Sequence, residues 1–111
     1  MMKRIANPYA PLLAEIFNLK REVRIYRMPE IHYDNSECCA LYWPPKLTNN
    51  KTHKIIIADK WSDTLGTYLG CIAHEYIHAW QDEKNLNYGH GEKSQFMPWA
   101  RYLRKYYGIT V

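Results

Sequence analysis

The stretch His74-Glu75-Tyr76-Ile77-His78-Ala79-Trp80-Gln81 decides how the rest of the chain is read. His74 and His78 stand four residues apart, so on an α-helix their imidazoles lie one above the other on the same face. Both rings can then reach a single Zn²⁺ at roughly 2.0–2.1 Å, the usual zinc–imidazole bond length. Glu75 follows the first histidine, which lets its carboxylate approach a water on the ion without ligating the metal. This is the H-E-x-x-H pattern, in which the carboxylate acts as the base.

The surroundings of the motif are helical. Ser62 or Asp63 can cap the first free amides. Leu65, Leu69, Ile72, Ala73, Tyr76, Ile77 and Trp80 recur at helical spacing and predict a buried stripe. Gly66 and Gly70 each cost about 1 kcal/mol relative to Ala, which is tolerable where packing is close. A catalytic zinc keeps three protein ligands and one open position. Gly89-His90-Gly91 lies twelve residues past His78. The helix is predicted to end near Lys84-Asn85, and Asn85, Asn87 and Gly89 favour a turn. Glu92 competes as third ligand, but a glycine on each side of His90 lets its backbone approach the metal and favours the histidine.

The run from His74 to Gln81, then Gly89-His90-Gly91, then Phe96, resembles the SprT-like zinc metallopeptidases, which include the Spartan proteases and short stand-alone proteins. The resemblance covers about residues 55–109. It implies a small zincin-like domain, one catalytic Zn²⁺ held by His74, His78 and His90, and Glu75 as the catalytic carboxylate. In the family the aromatic residue stands two positions after Gly-His-Gly, whereas here four residues, Glu92 to Gln95, intervene. A cysteine-rich zinc ribbon follows in many relatives. No cysteine here has ribbon spacing, so the resemblance is to the short form.

Composition sets outer limits. A chain of 111 residues suits one domain over residues 1–111, and a domain of this size buries about 60–70% of its unfolded surface. At 47% hydrophobic and 23% charged, it reads as globular and not as disordered. Ten tyrosines and four tryptophans suit a small core built from large side chains, and also a peptide-binding cleft. The net charge of +4 reads first as solubility and second as attraction to nucleic acid or acidic proteins. Lys20, Arg21, Arg24 and Arg27 form one basic cluster, and Arg101, Arg104 and Lys105 another. Cys38, Cys39 and Cys71 make an odd count with adjacent members, which argues against a disulfide framework and for a reducing compartment. The N-terminus has no long apolar run, so neither a signal peptide nor a membrane span is expected. A cytoplasmic location follows as the expectation.

Taken in order, Met1–Ala6 reads as a loose start. Pro8–Lys20 reads as a helix with Asn7 as cap and Leu12, Leu13, Ile16, Phe17 and Lys20 carrying its periodic pattern. Val23–Arg27 reads as a strand, Ile31–Glu37 as a polar loop, and Cys38–Trp43 as a second strand ended by Pro44-Pro45. His53–Asp59 reads as a third strand, about Ile55-Ile56-Ile57. In the fold that the resemblance implies, this strand borders the cleft. As an edge strand it could hold an extended peptide by main-chain hydrogen bonds. Ser94–Tyr107 reads as a last helix, with Ser94 as cap, Pro98 in the first turn, Phe96, Trp99, Ala100, Leu103 and Tyr107 inward, and Gly108 as its stop. The fold class is therefore α+β, with an N-terminal helix, about three strands, the motif helix and a C-terminal helix.

The chemistry these residues suit is peptide-bond hydrolysis by a zinc-activated water, with Glu75 moving the proton. The partner is a protein or peptide substrate, and the Spartan resemblance extends this to DNA-associated proteins. The alternative is a metal-stabilised protein- or nucleic-acid-binding module with little or no turnover. Tyr88, Tyr102 and Tyr106 are candidates to stabilise the oxyanion. His32 and His53 read as surface or loop residues.

Overall fold

A computed structural model describes residues 2–6, 8–33, 36–61 and 64–111. The described chain is α+β, with three α-helices and a four-stranded mixed sheet. In order, the elements are β1 (Lys3–Ile5), α1 (Ala10–Phe17), β2 (Val23–Met28), β3 (Ile31–Tyr33), β4 (Ser36–Cys38), β5 (Ala40–Trp43), β6 (His53–Ala58), α2 (Leu65–Glu83) and α3 (Phe96–Tyr107). The main sheet has the order β1-β2-β6-β5, and β3 pairs with β4 as a separate hairpin.

Strand β6 is central, parallel to β2 with Ile25 opposite Ile55, and antiparallel to β5 with Tyr42 opposite Ile55. Alternate residues of a strand face opposite sides of the sheet. Ile55 and Ile57 join the core formed with Leu13, Phe17, Ile72, Tyr76, Ile77 and Leu103 of the helices. Ile56 and Ala58 face the other way and pack with Ile31 under the β3–β4 hairpin. The strand is thus buried on both faces, which explains its unbroken isoleucine run.

Three sequence expectations are corrected here. Lys3–Ile5 is not a loose start but a strand, paired antiparallel with Arg27, Tyr26 and Ile25. The segment read as a polar loop holds the β3–β4 hairpin, because Ile31 supplies a cover for the second sheet face. The strand read as Cys38–Trp43 is two strands that change sheets at Cys39, whose carbonyl accepts from the Ala58 amide at 3.0 Å. It follows that, among the described residues, the edge of the sheet beside the motif helix is β5, not β6.

Helix α1 is shorter than its periodicity suggests, because Asn18 takes a left-handed conformation (φ 47°) and ends it. The proposed caps Asn7, Ser62 and Asp63 lie outside the described residues. At the start of α2, Thr64 accepts from the Thr67 amide at 3.1 Å and serves as the cap. Leu65 is 68% exposed and lies off the buried stripe. The two helix glycines differ. A Cβ at Gly70 would stand 2.3 Å from the Thr110 carbonyl oxygen, so only glycine lets residues 108–111 lie across α2, whereas Gly66 has open space around it. Tyr107, expected inward on α3, is 41% exposed. No helix among the described residues is long and apolar enough to cross a membrane.

His53 is the largest departure from the sequence reading, being fully buried where a surface or loop position was expected. Its Nδ1 accepts from Tyr42 Oη at 2.8 Å, and its Nε2–H donates to Glu83 Oε2 at 2.6 Å. Glu83 also accepts from the Lys20 and Arg21 amides at 2.7 and 3.0 Å. Burial pushes the Glu83 carboxyl up, but the bonds from His53 and the two amides outweigh it and hold it below its ordinary value. A carboxyl lowered on folding contributes stability above its unfolded pKa and loses it as pH falls through the folded one. Glu83→Gln would turn an NH₂ towards one of these donors. It is expected to lower unfolding free energy at neutral pH by about 2 kcal/mol and to flatten the acid limb below the ordinary carboxylate range, as read by urea titrations across pH.

Candidate metal centre and its cleft

Helix α2 presents His74 and His78 one turn apart, and the chain after it folds back to bring in His90. Their ring centroids form a near-equilateral triangle, 5.0 Å for His74–His78, 5.1 Å for His74–His90 and 4.9 Å for His78–His90. One nitrogen from each ring lies within 4.8 Å of the others, an arrangement that can hold a metal ion. The Nε2 atoms of His74 and His90 are 3.2 Å apart. Two nitrogens sharing a tetrahedral zinc stand about 3.3 Å apart at ordinary bond lengths, so this donor set fits such an ion. His90 is exposed, which leaves the cluster open on one side.

The tautomer of His78 is determined by Gln81. His78 Nδ1–H donates to Gln81 Oε1 at 2.7 Å, which leaves the Nε2 lone pair for a metal. The same amide donates through Nε2 to the carbonyls of Gly89 and Ser94, at 2.9 and 3.1 Å. A fully buried Gln81 therefore joins the motif helix to both ends of the loop that carries His90. Ser94 does not cap α3; its hydroxyl donates to Gly89 O at 2.8 Å and Gly91 O at 3.2 Å. Gln95, in a left-handed conformation, starts the helix instead. A Cβ on Gly89 would meet Asn87 Oδ1 at 2.8 Å, whereas Gly91 has open space around it. A side chain at Gly89 would thus displace the Asn87 amide that accepts from the Gly89 N–H. Phe96 lies against all three imidazoles, 4.9, 5.5 and 4.7 Å from His74, His78 and His90 between centroids. The four intervening residues do not keep it from the cluster.

Glu92, the competing ligand, points elsewhere. Its carboxylate forms a bidentate pair with Arg101, Nη2 to Oε2 at 3.0 Å. Glu75 is buried at 6% exposure and lines the same cavities as the histidines. Burial pushes its carboxyl up to about 8, with the neighbouring Cys39 adding to the effect. Burial also holds His74 down at about 4, and the nearby His78 and His90 act the same way. His78 is lowered by burial and by His90 despite its bond to Gln81. Both rings are thus neutral at pH 7, the form that binds a metal.

Two hollows meet at Glu75 and His78. One, about 410 Å³, has Cys39, Cys71, His74, His90 and Thr110 in its wall. The Cys39 and Cys71 thiols are hydrogen-bonded to one another, which lowers Cys39 and raises Cys71. The other hollow, about 320 Å³, is bounded by Tyr33, Trp43, Leu47 and Tyr88. Tyr42, which sequence reasoning did not single out, stands between sheet and cluster with its ring 6.5 Å from that of His78. Tyr88 is near His78 at 6.2 Å, but its hydroxyl donates to Asp82 at 2.6 Å. Tyr102 and Tyr106 pack with one another, and Tyr102 also packs against Trp99. None of their ring contacts reaches a histidine of the cluster, so the structure does not bring them to the site.

The chain matches no family model, no curated protein and no solved structure. The site therefore rests on its own geometry. His90→Ala is expected to abolish high-affinity metal uptake, while Glu92→Ala leaves it unchanged. Gln81→Ala is expected to weaken uptake by about 10–100-fold, the usual effect of removing a partner that orients a ligand. Competition against a fluorescent chelator reads all three.

Proposed function

We propose that the chain is a zinc-dependent endopeptidase of the SprT-like, zincin type, with His74, His78 and His90 as metal ligands and Glu75 as general base and acid. The observation that carries this reading is the position of Glu75. A purely structural metal site has no use for a buried carboxylate beside three histidines, and such sites are usually closed by four ligands. A bound zinc ion would supply Lewis acidity to the peptide carbonyl and to the attacking water. Glu75 takes a proton at its carboxylate and delivers it to the leaving nitrogen. A buried carboxylate in the wall shared with all three histidines is placed for both transfers. Gln81 holds His78 in the tautomer the site needs. The unpaired edge of β5 runs beside the cluster, where an extended substrate can add as a strand. Hollows on both sides of Glu75 favour cleavage within a chain over trimming of an end.

Of the basic side chains that a DNA-associated substrate would call on, several are already paired. Arg24, Arg27 and Arg101 each face a carboxylate, from Glu22, Asp59 and Glu92 respectively. Cys38, Cys39 and Cys71 are free thiols, which suits a reducing compartment such as the cytoplasm.

Glu75→Gln separates turnover from mere metal-supported binding. The variant is expected to keep its metal and lose at least about 10²–10⁴-fold in cleavage of casein, the span attributed to general acid–base catalysis. Equal cleavage by both proteins, or none by the wild type with its metal in place, would reject the peptidase reading.

A further inference from the structure

The hollow beside Glu75 and His78 has unusual walls. Tyr33, Trp43, Leu47 and Tyr88 are 65, 37, 62 and 40% exposed, yet all four converge on this one space. Large apolar side chains that converge without covering one another leave surface for something else to bury.

The aromatic walls are also held in place from outside. Tyr88 donates its hydroxyl to Asp82 at 2.6 Å. Tyr42 donates to the buried His53 at 2.8 Å. The Lys54 ammonium stands 4.7 Å over the Trp43 ring. Each ring therefore turns its polar or cationic partner away and its apolar surface inward, before any ligand arrives. Among the residues lining the hollow the ionisable groups are Glu75, His78 and the tyrosines, with no lysine or arginine to hold a phosphate. That lining disfavours a nucleotide. The unpaired edge of β5, which contributes Leu41, Tyr42 and Trp43, offers main-chain groups to a polypeptide in the same place.

We infer that this hollow receives one large apolar side chain of an extended polypeptide, immediately beside the bond presented to the histidine cluster, so that the site selects segments bearing an aromatic or leucine-like residue. The inference rests on the peptidase reading for its register but not for binding itself. An edge strand alone would hold any sequence, because it uses main-chain hydrogen bonds; the hollow adds selectivity.

The test uses the zinc-loaded Glu75→Gln protein, which is expected to bind without cleaving. Capped unstructured octapeptides of glycine and serine carry one variable residue, Phe, Leu, Ala or Asp, and their affinities are measured by calorimetry. The Phe and Leu peptides are expected to bind at least about tenfold more tightly than the Ala peptide, from burial of one side chain. Trp43→Ala and Leu47→Ala, each at a partly exposed position, are expected to reduce that preference below about threefold while zinc content stays at the parent level. Equal affinity for all four peptides would overturn the inference. So would a preference that survives both substitutions. A change of oligomeric state on substitution, with no change in peptide preference, would also overturn it, because the occupant would then be a second copy of this chain. Wild-type cleavage of casein, assayed in parallel, reports on the peptidase reading separately.

Discussion

One side-chain amide holds the candidate centre together. Gln81 accepts from His78 Nδ1 and donates to the carbonyls of Gly89 and Ser94. The third histidine meets the two on the helix because the chain that follows turns back along it. Here the turn is secured from the helix itself, three residues past the ligand it orients. Because the amide is buried, each of its bonds would be costly to leave unmade. One residue therefore sets the tautomer of His78 and the position of the loop that carries His90. Phe96 then closes the apolar side of the cluster, and His90 is left facing solvent.

A second network relates the sheet to the same helix. Glu83, at the end of α2, binds the amides of Lys20 and Arg21 and the ring of His53. His53 in turn holds Tyr42 on the edge strand, against His78. Polar contacts thus tie the sheet edge to the helix that carries His74 and His78. Charge-assisted bonds of this kind are short and directional.

What could be read in advance divides along the range of the causes. The motif helix was legible because periodicity and the spacing of His74 and His78 are local properties. The grouping with His90 was legible because Gly89 and the asparagines mark a turn at a fixed distance. Strand β1 and the β3–β4 hairpin were not, since three-residue strands carry too little alternation and exist through pairing with distant residues. His53 looked like a loop boundary because its partners Tyr42 and Glu83 lie eleven and thirty residues away. The central place of β6 did leave a signal: Ile55-Ile56-Ile57 is apolar on both faces, as a strand covered on both sides must be. Gln81 left one too, since its spacing from His78 puts it within reach on a helix.

The account depends on three imidazole nitrogens sharing one ion. X-ray absorption on the purified chain loaded with one equivalent of Zn²⁺ tests this directly. The account predicts one ion per chain, three nitrogen ligands at roughly 2.0–2.1 Å and no sulfur in the coordination shell. A sulfur scatterer at about 2.3 Å would place the metal on Cys39 or Cys71 instead. That result, or failure to take up the ion, would contradict the account.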